Sequence, residues 1–321
     1  MIRRAPIIRL ARSPDFDPPD MEGARAFIEG IEGRIRQAMQ WLQEDDPSSF
    51  NVSEVVWTTD YEGEVARQSG QTGYQAQRNG VVGVAKTIRK DGGAVIVINL
   101  RAYPLDEPIQ QLFLCLHEGL HARHHRYFDL EALNALPQTA WRTRGIAESL
   151  LDEYACDREA YRVLVARGDP SRTDILGPLR AFNADVLKTV TSGETNAKTI
   201  EVHARYEKLY ETQGDLTTEQ WGGLARDIHN LIYDYWSSAV HALAFFDHFE
   251  PSRLDVQAWD HNTLAASRLI SVVREKFQSK SFDATSAMSI VATVFEEFGL
   301  KLESDPVGGE HVFPLQVTLH R

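Results

Sequence analysis

His117-Glu118-Gly119-Leu120-His121, followed after 31 intervening residues by Glu153-Tyr154-Ala155-Cys156-Asp157, is the stretch on which the reading of this chain turns. Two histidines four positions apart on a helix lie one turn apart on one face. Their imidazole nitrogens can grip a single zinc ion there. Glu118 is rotated off that pair, yet can reach water held by the ion and act as a general base. The spacing alone arises by chance in roughly three of a hundred chains of this composition, so its surroundings must carry the rest.

A catalytic zinc takes a third protein ligand and keeps one position open for water. Ile146, Leu150, Ala160 and Leu164 recur as one apolar face of a second helix, and Glu153 and Asp157 fall within that stripe. At 3.6 residues per turn the two acids lie within about 40° of each other. Charged side chains on an inward face are costly unless paired or bound to metal. Glu148, in the overlapping Glu148-x-x-x-Asp152 pattern, points roughly 140° away from Glu153, alongside Glu159, and reads as solvated surface. Glu153 is therefore the expected third ligand. Asp157, one turn on, is expected to accept the free ring N–H of a ligating histidine. Two plainer readings stand beside these. The histidines could simply decorate a helix surface, and the acids could form a buried pair with Arg142, Arg144 or Arg158.

The rest of the chain predicts an α+β fold, with a small sheet, the two motif helices and a mainly helical C-terminal region. Residues 1–20 carry Pro6, Pro14, Pro18 and Pro19 and read as an extended arm. A helix from Met21 presents Phe27, Ile28, Ile31, Ile35, Met39 and Leu42 at helical spacing and stops at Asp45-Asp46-Pro47. Val55 to Thr59 is a strand, the polar stretch from Glu62 to Gly80 a long surface loop, and Val81 to Ile88 a further strand. Lys90-Asp91-Gly92-Gly93 predicts a hairpin into Ala94 to Leu100. That last strand is expected to form the edge above a cleft, where a bound peptide could pair by strand addition. The motif helices are expected from about Asp106 to Tyr127 and from about Thr143 to Arg167. Gly168-Asp169-Pro170 marks a domain boundary. The expected organisation is thus an arm (1–20), a first domain (21–168) and a mainly helical accessory region (169–321). That region includes a long helical pattern from Glu219 to Phe249. From Ser281 it reads as a helix followed by two short strands.

Composition excludes several function classes. With 46 acidic against 34 basic residues and a net charge of -12, the surface disfavours phosphate backbones, so nucleic acid is not an expected partner. No apolar run approaches the roughly 18 residues of a membrane helix, and the first residues lack a signal-peptide core, so a cytoplasmic protein is expected. Cys115 and Cys156 are the only cysteines, which excludes a disulfide framework or a thiolate zinc cluster. Both cysteines read as core residues, although Cys156 borders the Glu153 face. His124 and His125 read as hydrogen-bonded or solvent histidines. Tyr233, His229 and His241 are open as donors to an oxyanion or as core. The chain has no phosphate-binding glycine loop, dinucleotide fingerprint or nucleophile elbow.

Taken together, the two motif segments resemble the gluzincin pattern of zinc metallopeptidases. The likeness is nearest to the M48-type peptidases and looser to the ImmA/IrrE-type regulatory peptidases. It covers about residues 21–168. Cys156 stands where the M48-type motif usually has alanine. The resemblance implies a zincin-like domain with one zinc held by His117, His121 and Glu153, Glu118 as base and Asp157 behind a ligand. The resulting expectation is a soluble peptidase acting on a peptide or protein, with residues 169–321, which the resemblance leaves unexplained, covering the cleft or recruiting a protein partner. Two other readings stay open: a regulatory protein that keeps the zinc fold with little turnover, and a zinc hydrolase of a non-peptide substrate.

Overall fold

A computed structural model of the chain describes residues 5–11, 21–70, 77–78, 81–102, 107–123, 141–167, 176–191, 237–251, 300–302 and 315–317, with scattered positions in 201–220 and 272–279. The fold is α+β, with one four-stranded mixed sheet and a mostly helical C-terminal half. Residues 1–126 with 156–182 form one unit, and residues 127–155 with 183–321 form a second.

The sheet belongs to the first unit and has the order β1-β2-β6-β5. Strands β1 (Ile7–Ala11), β2 (Val52–Thr58) and β6 (Gly93–Asn99) run parallel. Strand β5 (Ala85–Lys90) returns antiparallel to β6 through the expected hairpin, with Lys90 opposite Gly93. Gly93 has φ +130, and a side chain there would press on Asn51 O and Ser53 Cβ, both 3.1 Å from the added atom. Every residue of β6 is buried, as expected of a strand covered on both faces.

Three features depart from the sequence reading. The proline-punctuated arm is not merely extended, because Ile7 to Ala11 add strand β1 to the sheet. Arg9 fastens it, reaching Glu54 at 2.8 Å and Glu64 at 2.9 Å. The stretch from Glu62 to Gly80 is not all loop. Tyr61–Ser69 is a helix, α2, capped by the Asp60 side chain and closed by Gly70 at φ 69. Tyr61 and Val65, one turn apart, pack with Val56, Ile88, Val95 and Val97 on one face of the sheet. Two-residue strands β3 (Gln77–Arg78) and β4 (Val81–Val82) pair beyond it. Finally, β6 is an interior strand, and among the described residues the edges are β1 and β5.

Helix α1 (Met21–Asp45) buries Ile31, Ile35, Met39 and Leu42, the stripe read from its spacing. It packs against α3 (Pro108–His121), which opens with Pro108 in its first turn and ends at His121. The helix stops short of the expected extension toward Tyr127, because Ala122 caps it and Arg123 bends away; residues 124–127 lie outside the described residues. Gly119 sets the approach of the two helices. A Cβ at that position would collide with Leu42 Cδ1 and lie 3.2 Å from Met39 Cε. Helix α4 (Trp141–Arg167) passes unbroken from the second unit into the first. In the first unit, Phe113 of α3 stacks on Tyr161 of α4, with centroids 4.6 Å apart. Asp45, at the end of α1, receives Arg162 of α4 at 2.8 Å and Arg123, just past α3, at 3.2 Å.

Helix α5 (Leu176–Thr191) follows, spanning the last residues of the first unit and entering the second. In the second unit, α6 (Ser237–Phe249) buries Val240, Ala242, Leu243, Ala244, Phe245 and Phe246. Tyr154 donates to Asp247 at 2.6 Å, and Arg274 lies 2.5 Å from the same carboxylate. Strands β7 (Leu300–Leu302) and β8 (Leu315–Val317) pair antiparallel, as the tail predicted. The sequence-predicted helix between Ser281 and β7, and residues 221–236 of the long helical pattern, lie outside the described residues.

Two stability predictions follow from this packing. Gly119→Ala should destabilise the protein by about 1–3 kcal/mol through overpacking at the helix crossing, measurable by urea denaturation. A loss within error of zero would show that Leu42 yields freely. Burial pushes the Asp45 carboxyl up, but hydrogen bonds and charge from Arg162 and Arg123 prevail and hold it below its ordinary value. A depressed folded value stabilises at neutral pH, and that contribution disappears as pH falls below about 3.9 and through the lower folded value. Asp45→Asn should therefore lower stability at pH 7 and flatten the acid limb of its pH dependence. An unchanged limb would contradict this.

Candidate metal centre

The residues that converge in the first unit come from the C-terminal turns of α3 and the second half of α4. His117 is buried, and its Nδ1 lies 2.7 Å from Asp157 Oδ1. Asp157 is fully buried, so its carboxylate needs compensation, and the His117 ring contributes it. With Asp157 ionised its carboxylate only accepts, so Nδ1 would carry the proton and the Nε2 lone pair of His117 would face His121.

His121 follows one turn later, half-buried, with its Nδ1 3.5 Å from Cys156 Sγ. Its Nε2 lies 2.9 Å from His117 Nε2, with the rings edge to face at 4.5 Å between centroids. Each ring thus engages a residue of α4 through Nδ1 and turns Nε2 toward the other ring. This is the disposition that lets two imidazoles share one cation.

Glu118 is buried on the sheet side of α3. Thr87 of the edge strand β5 places its hydroxyl 2.6 Å from Glu118 Oε2 and 2.8 Å from the Glu118 carbonyl oxygen. Thr87 pairs with Ile96 across the ladder, on the face opposite Ile88, so α2 and α3 sit on opposite faces of the sheet. Two residues on, Arg89 donates from Nε and Nη2 to the carbonyl of His121, at 3.1 and 2.9 Å. A cation at the last carbonyls of a helix is favourable, and here it also ties the end of α3 to β5.

Glu153 is placed by α4 itself. It lies four residues before Asp157 on the same unbroken helix, so it shares that face one turn away. Its carboxylate is half-buried, 3.7 Å from His241 Nε2 of α6 within the second unit. His117 and His121 belong to a set of side chains that could hold a metal ion.

Of the sequence-derived site residues, His117, His121 and Asp157 are thus brought together, and Glu118, also on α3, accepts from Thr87 of β5. Glu148 lies on α4, but its side chain is outside the described residues, as are His124, His125, His229 and Tyr233. Sequence reasoning did not find Thr87 as the partner of Glu118 or Cys156 as the partner of His121. The Cys156 position bordering the Glu153 face was the one signal pointing that way.

No family model matches the chain, and searches of curated proteins and of solved structures gave no match. Among the described residues, no helix is long and apolar enough to cross a membrane.

Proposed function

We propose that this chain is a zinc metallopeptidase. The observation that carries the reading is the pair of Nε2 atoms at 2.9 Å, each backed by an Nδ1 contact to Asp157 or Cys156. Two neutral imidazoles with their second nitrogens engaged are the donor set that zinc prefers. His117 and His121 would hold the ion through Nε2, and Glu153 would add a carboxylate oxygen. Zinc bound there supplies Lewis acidity, polarising a carbonyl and lowering the pKa of water.

The chain's own residues would do the remaining work. Glu118, aimed by Thr87, would take the proton of the attacking water and pass it to the leaving amine. Asp157 would keep His117 in one tautomer throughout. A peptide substrate is favoured because β5 is an edge strand and its Thr87 and Arg89 both touch the motif helix. An extended peptide added to that edge would run beside Glu118. A cytoplasmic peptide or protein would be the substrate, with residues 169–321 available to recruit it.

The test measures zinc stoichiometry and hydrolysis of a peptide library on the same set of variants. Wild type should hold about one zinc per chain. Glu118→Gln should keep that zinc and lose turnover. Glu153→Ala should lose affinity for zinc, and activity with it. Asp157→Ala should weaken affinity or turnover by roughly 10–100-fold. Glu148→Ala should change neither. Zinc with no hydrolysis in wild type would favour the regulatory reading. Metal lost in Glu148→Ala but kept in Glu153→Ala would overturn the choice of ligand.

A further inference from the structure

We propose that Cys156 is the positioning residue of His121, accepting its Nδ1–H when Nε2 binds metal, as Asp157 does for His117. This rests on the zinc reading above and extends it to a residue that the motif does not contain. The geometry is a continuous chain. Cys156 Sγ lies 3.5 Å from His121 Nδ1, His121 Nε2 lies 2.9 Å from His117 Nε2, and His117 Nδ1 lies 2.7 Å from Asp157 Oδ1.

Cys156 and Asp157 are consecutive on α4 and therefore about 100° apart around its axis. The helix can in this way present sulfur to one histidine and a carboxylate to the other. Both are buried, Cys156 at 1 % and Asp157 at 0 % exposure, so neither contact is a chance surface approach.

The two outer partners are chemically unlike. An ionised carboxylate only accepts, so it holds His117 in a single tautomer. A thiol is both a weak donor and a weak acceptor, so it can serve His121 in either tautomer. While Nε2 of His121 donates to His117, its Nδ1 can accept from the S–H. Once both Nε2 atoms are ligands, both Nδ1 atoms must carry protons, and the sulfur becomes the acceptor. Cys156 thereby lets the histidine pair hold together in both conditions, which alanine at this position cannot do.

The experiment uses the full chain with ¹⁵N-labelled histidine, wild type and the variants Cys156→Ala and Cys156→Ser. Zinc affinity is measured by competition with a chelator, the ring N–H signals by long-range ¹H–¹⁵N spectra of the zinc-loaded protein, and melting of the metal-free protein separately. Cys156→Ala should weaken zinc binding by about 10–100-fold and move the His121 Nδ1–H signal while leaving that of His117 in place. Cys156→Ser, whose hydroxyl both donates and accepts, should recover part of both. An unmoved His121 signal, or a variant that only melts earlier without losing zinc affinity, would overturn the proposal and make Cys156 a packing residue. Wild-type protein that takes up no zinc would instead sink the metallopeptidase reading, and this proposal with it.

Discussion

A carboxylate that is fully buried has to be compensated, and Asp157 meets that requirement through the ring of His117. Much of the first unit is arranged around that pair. It joins the last turns of α3 to the second half of α4 and decides which nitrogen of His117 faces His121. Breaking such a pair by removing one partner leaves the other buried and uncompensated, typically at a cost of about 3–5 kcal/mol. The contact is therefore structural and chemical at once. Phe113 on Tyr161 and Asp45 between Arg123 and Arg162 add further ties to the same helices.

The residues between the two histidines also have separate duties. Glu118 turns to the sheet and meets Thr87, while Gly119 turns to α1 and admits Leu42. Three faces of one helical turn thus serve the site, the sheet and the neighbouring helix. The sheet repays this by holding α3 at two points, through Thr87 at Glu118 and Arg89 at the His121 carbonyl. An edge strand that grips the motif helix at two points keeps Glu118 beside β5.

Legibility in the sequence followed the range of the determining forces. The stripe of α1 and the shared face of Glu153 and Asp157 could be read because helical periodicity runs through many residues of one segment. The hairpin at Lys90 to Gly93 could be read because turn chemistry is local. Helix α2 could not, since its nine residues rest on a capping aspartate, a closing glycine and two apolar contacts within a polar stretch. Strand β1 was hidden by the prolines around it, and its anchor, Arg9 with Glu54 and Glu64, links residues far apart in the chain. Sheet order is likewise non-local, so β6 looked like an edge although β5 takes that place. The partners of the site, Thr87 and Cys156, come from a strand and a second helix and carry no motif of their own.

The central claim is that His117 and His121 bind one metal ion through facing Nε2 atoms, with sulfur kept behind the ligand rather than on the metal. Zinc-edge X-ray absorption on the loaded wild-type chain tests it directly. The account predicts nitrogen and oxygen scatterers only, at about 2.0–2.2 Å, with the multiple-scattering signature of two imidazoles. A sulfur shell at about 2.3 Å would put Cys156 on the metal and contradict it.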